Sequence, residues 1–258
     1  MRAFILAAGL GTRLRPLTEH TPKALAPVAG QPMLGRLLAF LAAHGVTQAA
    51  LNTHHLPGAV HDWLANAAPS LAPTCFHEEA LLGTGGALVN ARDFWGDQPL
   101  LVWNGDILSD VAPTEIAATH ARHTAAGASH IATLLVQSRP SGSGLLVDDA
   151  GLICGIASQR RGAHRLVREP VGTARQVAFN GVSVLEPALL EPALHPGFPQ
   201  AGAFDLVDAL LEAISAGAVV KVHDAGSSAF GTSGDPERLA ALEALLLEDA
   251  NVRERWGG

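Results

Sequence analysis

Short apolar runs alternate with helical repeats along most of the chain, and this alternation restricts the fold more than any other feature. Ala3–Ala7 is an apolar run that ends in glycines, the look of a buried strand feeding a loop. Leu34, Leu37, Leu38 and Leu41 then recur at i, i+3, i+4 and i+7, one face of a helix. Gln48–Asn52, Thr74–His77, Leu100–Trp103 and Ile131–Val136 read as further strands. Val60–Ala67, Ala87–Ala91 and Pro113–Ala125 read as the helices between them. Such alternation predicts a mostly parallel sheet with right-handed crossovers. Later the pattern changes. Gly144–Val147 and Leu152–Ile156, on either side of Asp148-Asp149-Ala150-Gly151, predict a hairpin and so an antiparallel edge. Val177–Leu185 and Val219–Val222 are strands, and Phe204, Val207, Leu210, Leu211 and Ile214 mark a helix. Pro236–Leu247 closes the series, with Asp235 placed as N-cap and Pro236 at the first helical position. No low-complexity linker or internal repeat divides the 258 residues, so one domain over 1–258 is expected.

Composition narrows the function classes. Hydrophobic residues make up 48%, yet every long apolar stretch is broken well short of the roughly 20 residues a membrane span needs. Arg13, Arg15 and Pro16 follow the opening apolar run with no small-x-small cleavage pattern, so the cytoplasm is the expected location. A net charge of −7 argues against a broad nucleic-acid footprint. It does not exclude an anion site built from few cations held close together. The only lysines are Lys23 and Lys221, and Lys23 follows Arg13 and Arg15 closely. Cys75 and Cys154, far apart in apolar strands, read as inert core residues. Of the twelve histidines, His54 and His55 point to opposite faces of a strand, and His120 and His123 share a helix face without a nearby carboxylate. Solvated surface histidine is the expected reading for these.

The chemistry concentrates in Leu6-Ala7-Ala8-Gly9-Leu10-Gly11-Thr12-Arg13-Leu14-Arg15-Pro16-Leu17-Thr18, continued by Thr21-Pro22-Lys23. A strand ending in a glycine turn exposes backbone N–H groups at the carboxyl edge of a sheet, where open α/β sheets bind ligands. Such N–H nests hold phosphates. A dinucleotide fingerprint would need glycine at position 14, which is Leu14, and no Walker Gly-Lys-Ser/Thr follows. Two more segments stand out. One is Leu81-Leu82-Gly83-Thr84-Gly85-Gly86-Ala87. The other is Leu100-Leu101-Val102-Trp103-Asn104-Gly105-Asp106, where a carboxylate directly follows a buried strand.

Taken together, these segments resemble the sugar-1-phosphate nucleotidylyltransferases, whose signature is a strand, Gly-x-Gly-Thr-Arg-Leu-x-Pro-Leu-Thr, and then Pro-Lys. Residues Leu6–Lys23 match it nearly throughout, and Ala29-Gly30-Gln31-Pro32-Met33 fits as well. The resemblance implies a Rossmann-like mixed, mostly parallel sheet flanked by helices, and transfer of a nucleoside monophosphate from an NTP to a sugar 1-phosphate. Ala8, Gly9, Gly11 and Thr12 would wrap the phosphates, with Arg13 on the departing pyrophosphate and Lys23 near the reacting phosphorus. Thr84 and Gly85 would approach base and ribose, while Asn104, Glu169 and Asn180 would serve the sugar substrate. Asp106 matches the first ligand of the Mg²⁺ cofactor.

Two departures qualify the match. The family's Glu-Lys-Pro is replaced by Arg168-Glu169-Pro170, so Arg168 or Arg165 would have to supply the cation. Where the family carries its second metal carboxylate, this chain has Thr232, in Phe230-Gly231-Thr232-Ser233-Gly234-Asp235. A hydroxyl is a weaker Mg²⁺ ligand than a carboxylate, and Asp235 is the alternative. The compact length, with no β-helix after the core domain, looks most like the N-acetylmuramate-1-phosphate uridylyltransferases, which favours UTP. The mannose-1-phosphate guanylyltransferases and a non-catalytic nucleotide-binding protein are the rival readings. NTP and sugar 1-phosphate are the expected partners, with no nucleic acid or membrane, and the protein a monomer or homodimer.

Overall fold

The computed structural model describes residues 1–127, 129–139, 143–158, 163–191, 195 and 198–256. Its strands begin with β1 (Arg2–Leu6), β2 (Pro27–Val28), β3 (Gln31–Pro32), β4 (Gln48–Thr53), β5 (Thr74–His77), β6 (Leu100–Asn104) and β7 (Ile107–Ser109). They continue with β8 (His130–Gln137), β9 (Ser143–Val147), β10 (Ile153–Ser158), β11 (Ala163–Leu166), β12 (Arg175–Leu185), β13 (Val219–Asp224) and β14 (Phe230–Thr232). The helices are α1 (Leu17–His20), α2 (Met33–Ala43), α3 (Pro57–Ala67), α4 (Gly83–Asn90), α5 (Arg92–Trp95), α6 (Pro113–Ala125), α7 (Leu206–Ser215), α8 (Pro236–Glu248) and α9 (Ala250–Arg255). Two compact units result: Met1–Leu81 with Trp103–Thr114 and Ser228–Gly258, and Leu82–Val102 with Glu115–Ser227. No helix among the described residues is long and apolar enough to cross a membrane.

In the first unit β1, β4 and β5 pair in parallel, Arg2 opposite Gln48 and Ala50 opposite Thr74. Parallel neighbours need crossovers, and α2 and α3 supply them. The apolar face of α2 is fully buried at Leu34, Leu37 and Leu41. β7 and β14 form an antiparallel pair with Thr232 opposite Ile107. Asp235 caps α8, accepting from the Arg238 N–H at 3.0 Å, and Pro236 begins the helix as expected. Beyond α9, the buried Trp256 donates its indole N–H to the Ser109 carbonyl at 3.0 Å.

Arg36 joins these pieces. It is 3% exposed and donates to the carbonyls of Val28 at 3.0 Å, Ala29 at 3.2 Å and Trp256 at 3.2 Å. Burial pushes its guanidinium below its ordinary pKa.

The second unit is a mixed sheet. β13 runs parallel to β8, whereas β12 is antiparallel to both β8 and β9. The β9–β10 hairpin appears as expected and is extended by β11, so antiparallel pairing goes beyond an edge hairpin. Its turn is organised by Asp148, which accepts from the N–H groups of Ala150 at 3.0 Å and Leu152 at 2.9 Å. Burial alone would raise this carboxyl; the N–H donors of Val171 and Leu152 and the Arg168 guanidinium outweigh that and hold it low. Helix α4 starts four residues before the expected Ala87, because the glycine segment itself forms its first turn.

His54, His55, His120 and His123 are not the solvated surface residues that their sequence setting predicts. His120 is 2% and His130 4% exposed, and His123 is half-buried. Desolvation, followed by neighbouring cationic groups, pushes His123 down to about 4 and His130 to about 3. His54 and His55 are partly buried too, bonded at 2.8 Å to the carbonyls of Glu78 and Thr18. Burial raises both thiols, but only Cys154 is a core residue; Cys75, expected in the core, is partly exposed.

Replacing Arg36 by Leu leaves the two buried carbonyls of Val28 and Trp256 and the partly buried one of Ala29 without this donor. The change is expected to cost about 2–4 kcal/mol of unfolding free energy, read from urea denaturation midpoints.

Candidate active site

The first unit assembles a cluster of charge at the end of its glycine loop. Gly11 has φ +64°, and a Cβ there would lie 2.7 Å from Thr18 Cγ2 and 3.1 Å from Lys23 Cβ, so only glycine fits the turn. Its carbonyl accepts from the Leu14 N–H and the Thr18 hydroxyl, both at 2.8 Å. The chain is thereby folded back so that Lys23 passes close behind the loop.

Lys23 Nζ donates to Asp106 Oδ2 at 2.5 Å, with about a fifth of each side chain exposed. Asp106 is brought there by the turn after β6, where the Gly105 N–H donates to the Leu6 carbonyl at 2.9 Å. A Cβ on Gly105 would lie 3.0 Å from that oxygen, which explains the glycine before the carboxylate. From the other side β14 delivers Thr232, whose hydroxyl donates to Asp106 Oδ2 at 3.4 Å, and the Ser233 N–H donates to the Asp106 carbonyl at 2.9 Å. Arg13 is exposed and reaches Asp235 Oδ2 at 3.4 Å, so Asp235 is helix cap and ion-pair partner at once. Gly234 marks the focus of the cluster. A Cβ there would lie 3.4 Å from both Arg13 Nη2 and Thr232 Oγ1, and 3.7 Å from Asp106 Oδ2. Arg13, Lys23, Asp106 and Thr232 therefore converge, although they are spread over 220 positions of sequence.

Sequence reasoning passed over Asn52. It is 4% exposed at the carboxyl end of β4, and its Oδ1 accepts from the N–H groups of Ala7 at 2.6 Å and Ala8 at 3.3 Å. Its amide donates to Glu78 Oε1 at 2.7 Å. An Asn side chain thus substitutes for the missing ladder where β1 becomes the loop, and it takes up the Ala8 donor assigned to phosphates. The readable signal was a polar residue ending an otherwise apolar strand.

The remaining candidates, Asn104 apart, lie in the second unit. Thr84 donates to Asp205 Oδ2 at 3.1 Å and accepts from the Leu206 N–H at 2.8 Å, while the Gly85 N–H donates to the Phe204 carbonyl at 3.0 Å. A Cβ on Gly83 would lie 2.5 Å from the Phe204 carbonyl oxygen, and one on Gly85 would enter the Phe204 ring. Internal packing therefore demands these glycines. Asn180 is fully buried in β12; its Oδ1 accepts from Arg139 at 3.4 Å, and its Nδ2 has no partner among the described residues. Arg168 is committed to the buried Asp148 and to the Ile153 carbonyl at 3.2 Å. Glu169 is exposed, and Arg165 pairs with Glu212 at 3.3 Å on the surface. Asn104 ends β6, half-buried, two residues before Asp106.

A model of the nucleotidyl transferase family matches residues 2–199. The chain belongs to that family. Over 203 residues it is 33% identical to the N-acetylmuramate alpha-1-phosphate uridylyltransferase of Neisseria meningitidis serogroup B, covering 76% of this chain and 84% of that one. It is 30% identical over 198 residues to a probable mannose-1-phosphate guanylyltransferase 1 of Oryza sativa, covering 74% of this chain and 51% of the rice protein. A solved structure of a putative glucose-1-phosphate thymidylyltransferase from Bacillus anthracis shares the fold, with TM-score 0.74 over 95% of this chain and 94% of that one at 21% identity. The fold is the mixed, mostly parallel sheet with flanking helices of that structure. Family membership makes the chain an enzyme, a sugar-1-phosphate nucleotidyltransferase, rather than a non-catalytic binding protein.

Asn52→Ala leaves two backbone N–H groups and Glu78 short of a partner. It is expected to lower stability by about 2–3 kcal/mol and to raise the KM for nucleotide more than it lowers kcat. Thermal melting and steady-state kinetics measure the two effects.

Proposed function

We propose that this enzyme transfers uridylate from UTP to a sugar 1-phosphate, with N-acetylmuramate 1-phosphate as the favoured acceptor. The convergence of Lys23, Asp106, Thr232 and Arg13 beside the glycine loop carries the reading, because it gathers groups suited to a triphosphate and its metal. The choice of uridine is supported by the Neisseria relative, which is matched over 84% of its length against 51% for the rice guanylyltransferase. The family match runs through both units, which supports reading them as one nucleotidyltransferase domain. UTP supply puts the enzyme in the cytoplasm.

In the reaction an oxygen of the sugar phosphate attacks the α-phosphorus. A new P–O bond forms, the bond to the β-phosphate breaks, and pyrophosphate leaves with the electron pair. Little covalent work falls to the protein, so positioning and charge neutralisation do the catalysis. The loop N–H groups from Gly9 to Thr12 hold the phosphates. Lys23 and Arg13 neutralise charge that grows on the departing pyrophosphate. Asn104, at the end of β6, is assigned to the sugar phosphate.

The donor set fits Mg²⁺, which takes one or two carboxylates and completes its shell with phosphate oxygens and water. Asp106 would hold it, with Thr232 as a neutral oxygen donor alongside. The ion would supply charge neutralisation at the phosphate oxygens. Asp235, tied up as cap and partner of Arg13, is the weaker candidate.

Pyrophosphate release, measured with each NTP against a panel of sugar 1-phosphates, tests the substrate assignment. UTP with N-acetylmuramate 1-phosphate is expected to be fastest. Faster release with GTP and mannose 1-phosphate would overturn it. Asp106→Asn is expected to cut turnover at least about a hundredfold, since a lost metal ligand removes several kcal/mol of transition-state stabilisation. Thr232→Asp restores a second carboxylate and should lower the Mg²⁺ concentration needed for half-maximal rate; an unchanged requirement would exclude Thr232 as a ligand.

A further inference from the structure

Away from the glycine loop, the second unit buries a set of imidazoles around one carboxylate. The last turns of α6 carry His120, His123 and Thr124, which share one helix face at i, i+3 and i+4. Strand β8 adds His130 and Thr133, and Glu186 follows the end of β12, its N–H donated to the Ile131 carbonyl at 2.9 Å. Thr133 Oγ1 lies 3.2 Å from His120 Nδ1, 3.0 Å from His123 Nδ1 and 3.1 Å from His130 Nε2. Thr124 Oγ1 lies 3.0 Å from His130 Nδ1 and 2.8 Å from Glu186 Oε1, and His120 Nε2 lies 3.0 Å from the same Oε1.

These six hydrogen bonds need six hydrogens. Three neutral rings bring one each, two hydroxyls bring one each, and an ionised carboxylate brings none. The set is one positive centre short. One arrangement puts the shortfall beside Glu186: where Thr133 accepts from His120 Nδ1–H, a ring lone pair faces a carboxylate oxygen at 3.0 Å.

We propose that a divalent transition-metal ion of the zinc type binds here, held by His120 Nε2, a ring nitrogen of His130 and a carboxylate oxygen of Glu186. One ligand atom from each of the three lies within 4.8 Å of the others. Two imidazoles and a carboxylate suit Zn²⁺ and its neighbours, and three protein ligands leave a position for water. The bonding also closes once the ion is present. With His130 coordinating through Nδ1, the His120–Glu186 and His130–Thr124 bonds give way to coordination. The remaining hydrogens then suffice. Thr133 accepts from His120 Nδ1–H and His130 Nε2–H and donates to His123 Nδ1, while Thr124 donates to Glu186. Metal-binding imidazoles are oriented by a partner on the far nitrogen, and Thr133 is that partner for both. Glu186 and His123 are partly exposed, which gives the ion a way in. The ion's role is structural: it ties the end of α6 to β8 and to the end of β12.

Untagged, chelator-stripped protein carrying Asp106→Asn, which removes the carboxylate of the Mg²⁺ site, tests this. Zn²⁺ and Co²⁺ are titrated in, read by calorimetry, by the Co²⁺ ligand-field spectrum and by the melting midpoint. One equivalent is expected to bind with imidazole-type Co²⁺ bands and a raised midpoint. Adding Glu186→Gln should weaken binding at least about a hundredfold, since it removes an ionised ligand outright. That variant is expected to fold, because the Gln amide supplies the missing hydrogen to His120. Parent protein that binds neither ion, or equal affinity in Glu186→Gln, would overturn the proposal. The missing centre would then be a proton shared by His120 and Glu186.

Discussion

The ion pair of Lys23 and Asp106 organises the first unit's site. With about a fifth of each side chain exposed, both charges have given up most of their water. Their attraction, roughly 4 kcal/mol for unit charges 4 Å apart at an effective dielectric constant near 20, is largely offset by that desolvation. Neither group can therefore be removed without leaving the other uncompensated. The same balance makes the pair exchangeable. In the proposed reaction a triphosphate would bring several negative charges to Lys23, and a dication would bring more positive charge to Asp106 than an ammonium does. On this account, substrate and metal together replace an internal pair by two stronger ones.

What holds the pair in place is backbone geometry at the carboxyl ends of parallel strands. β1 ends in the glycine loop, and the turn after β6 is fastened to Leu6 through Gly105. β4 ends near Asn52, which satisfies the N–H groups that β1 exposes as it leaves the sheet. Open α/β sheets bind ligands at this edge for that reason: strands diverge there and their last polar groups need partners. The short β7–β14 pair then sets Thr232 against Asp106, so a residue near the end of the chain completes a site begun at residue 9.

Local signals were well read in the sequence and long-range ones poorly. Helix α6 spans Pro113–Ala125, the stretch its pattern predicted, and the Asp235-Pro236 start of α8 follows from capping chemistry alone. The β7 and β14 strands are three residues each, with partners more than 120 positions apart, and no period can register in so short a run. The glycines at 83, 85 and 86 stood out, yet their cause is Phe204 and Gly202, far along the chain. His120 looked solvated because its carboxylate, Glu186, is 66 residues away. In the candidate site the sequence motif marked Arg13, Lys23 and Asp106; that Asn52 anchors the loop and that Arg168 is spent on Asp148 depend on tertiary placement.

A crystal structure with Mg²⁺ and a non-hydrolysable UTP analogue tests the central claim most directly. Lys23 Nζ is expected within hydrogen-bonding distance of phosphate oxygens, no longer on Asp106, and the Asp106 carboxylate on the metal. A nucleotide bound with the Lys23–Asp106 pair intact, or with its phosphates away from Gly9–Arg13, would contradict it.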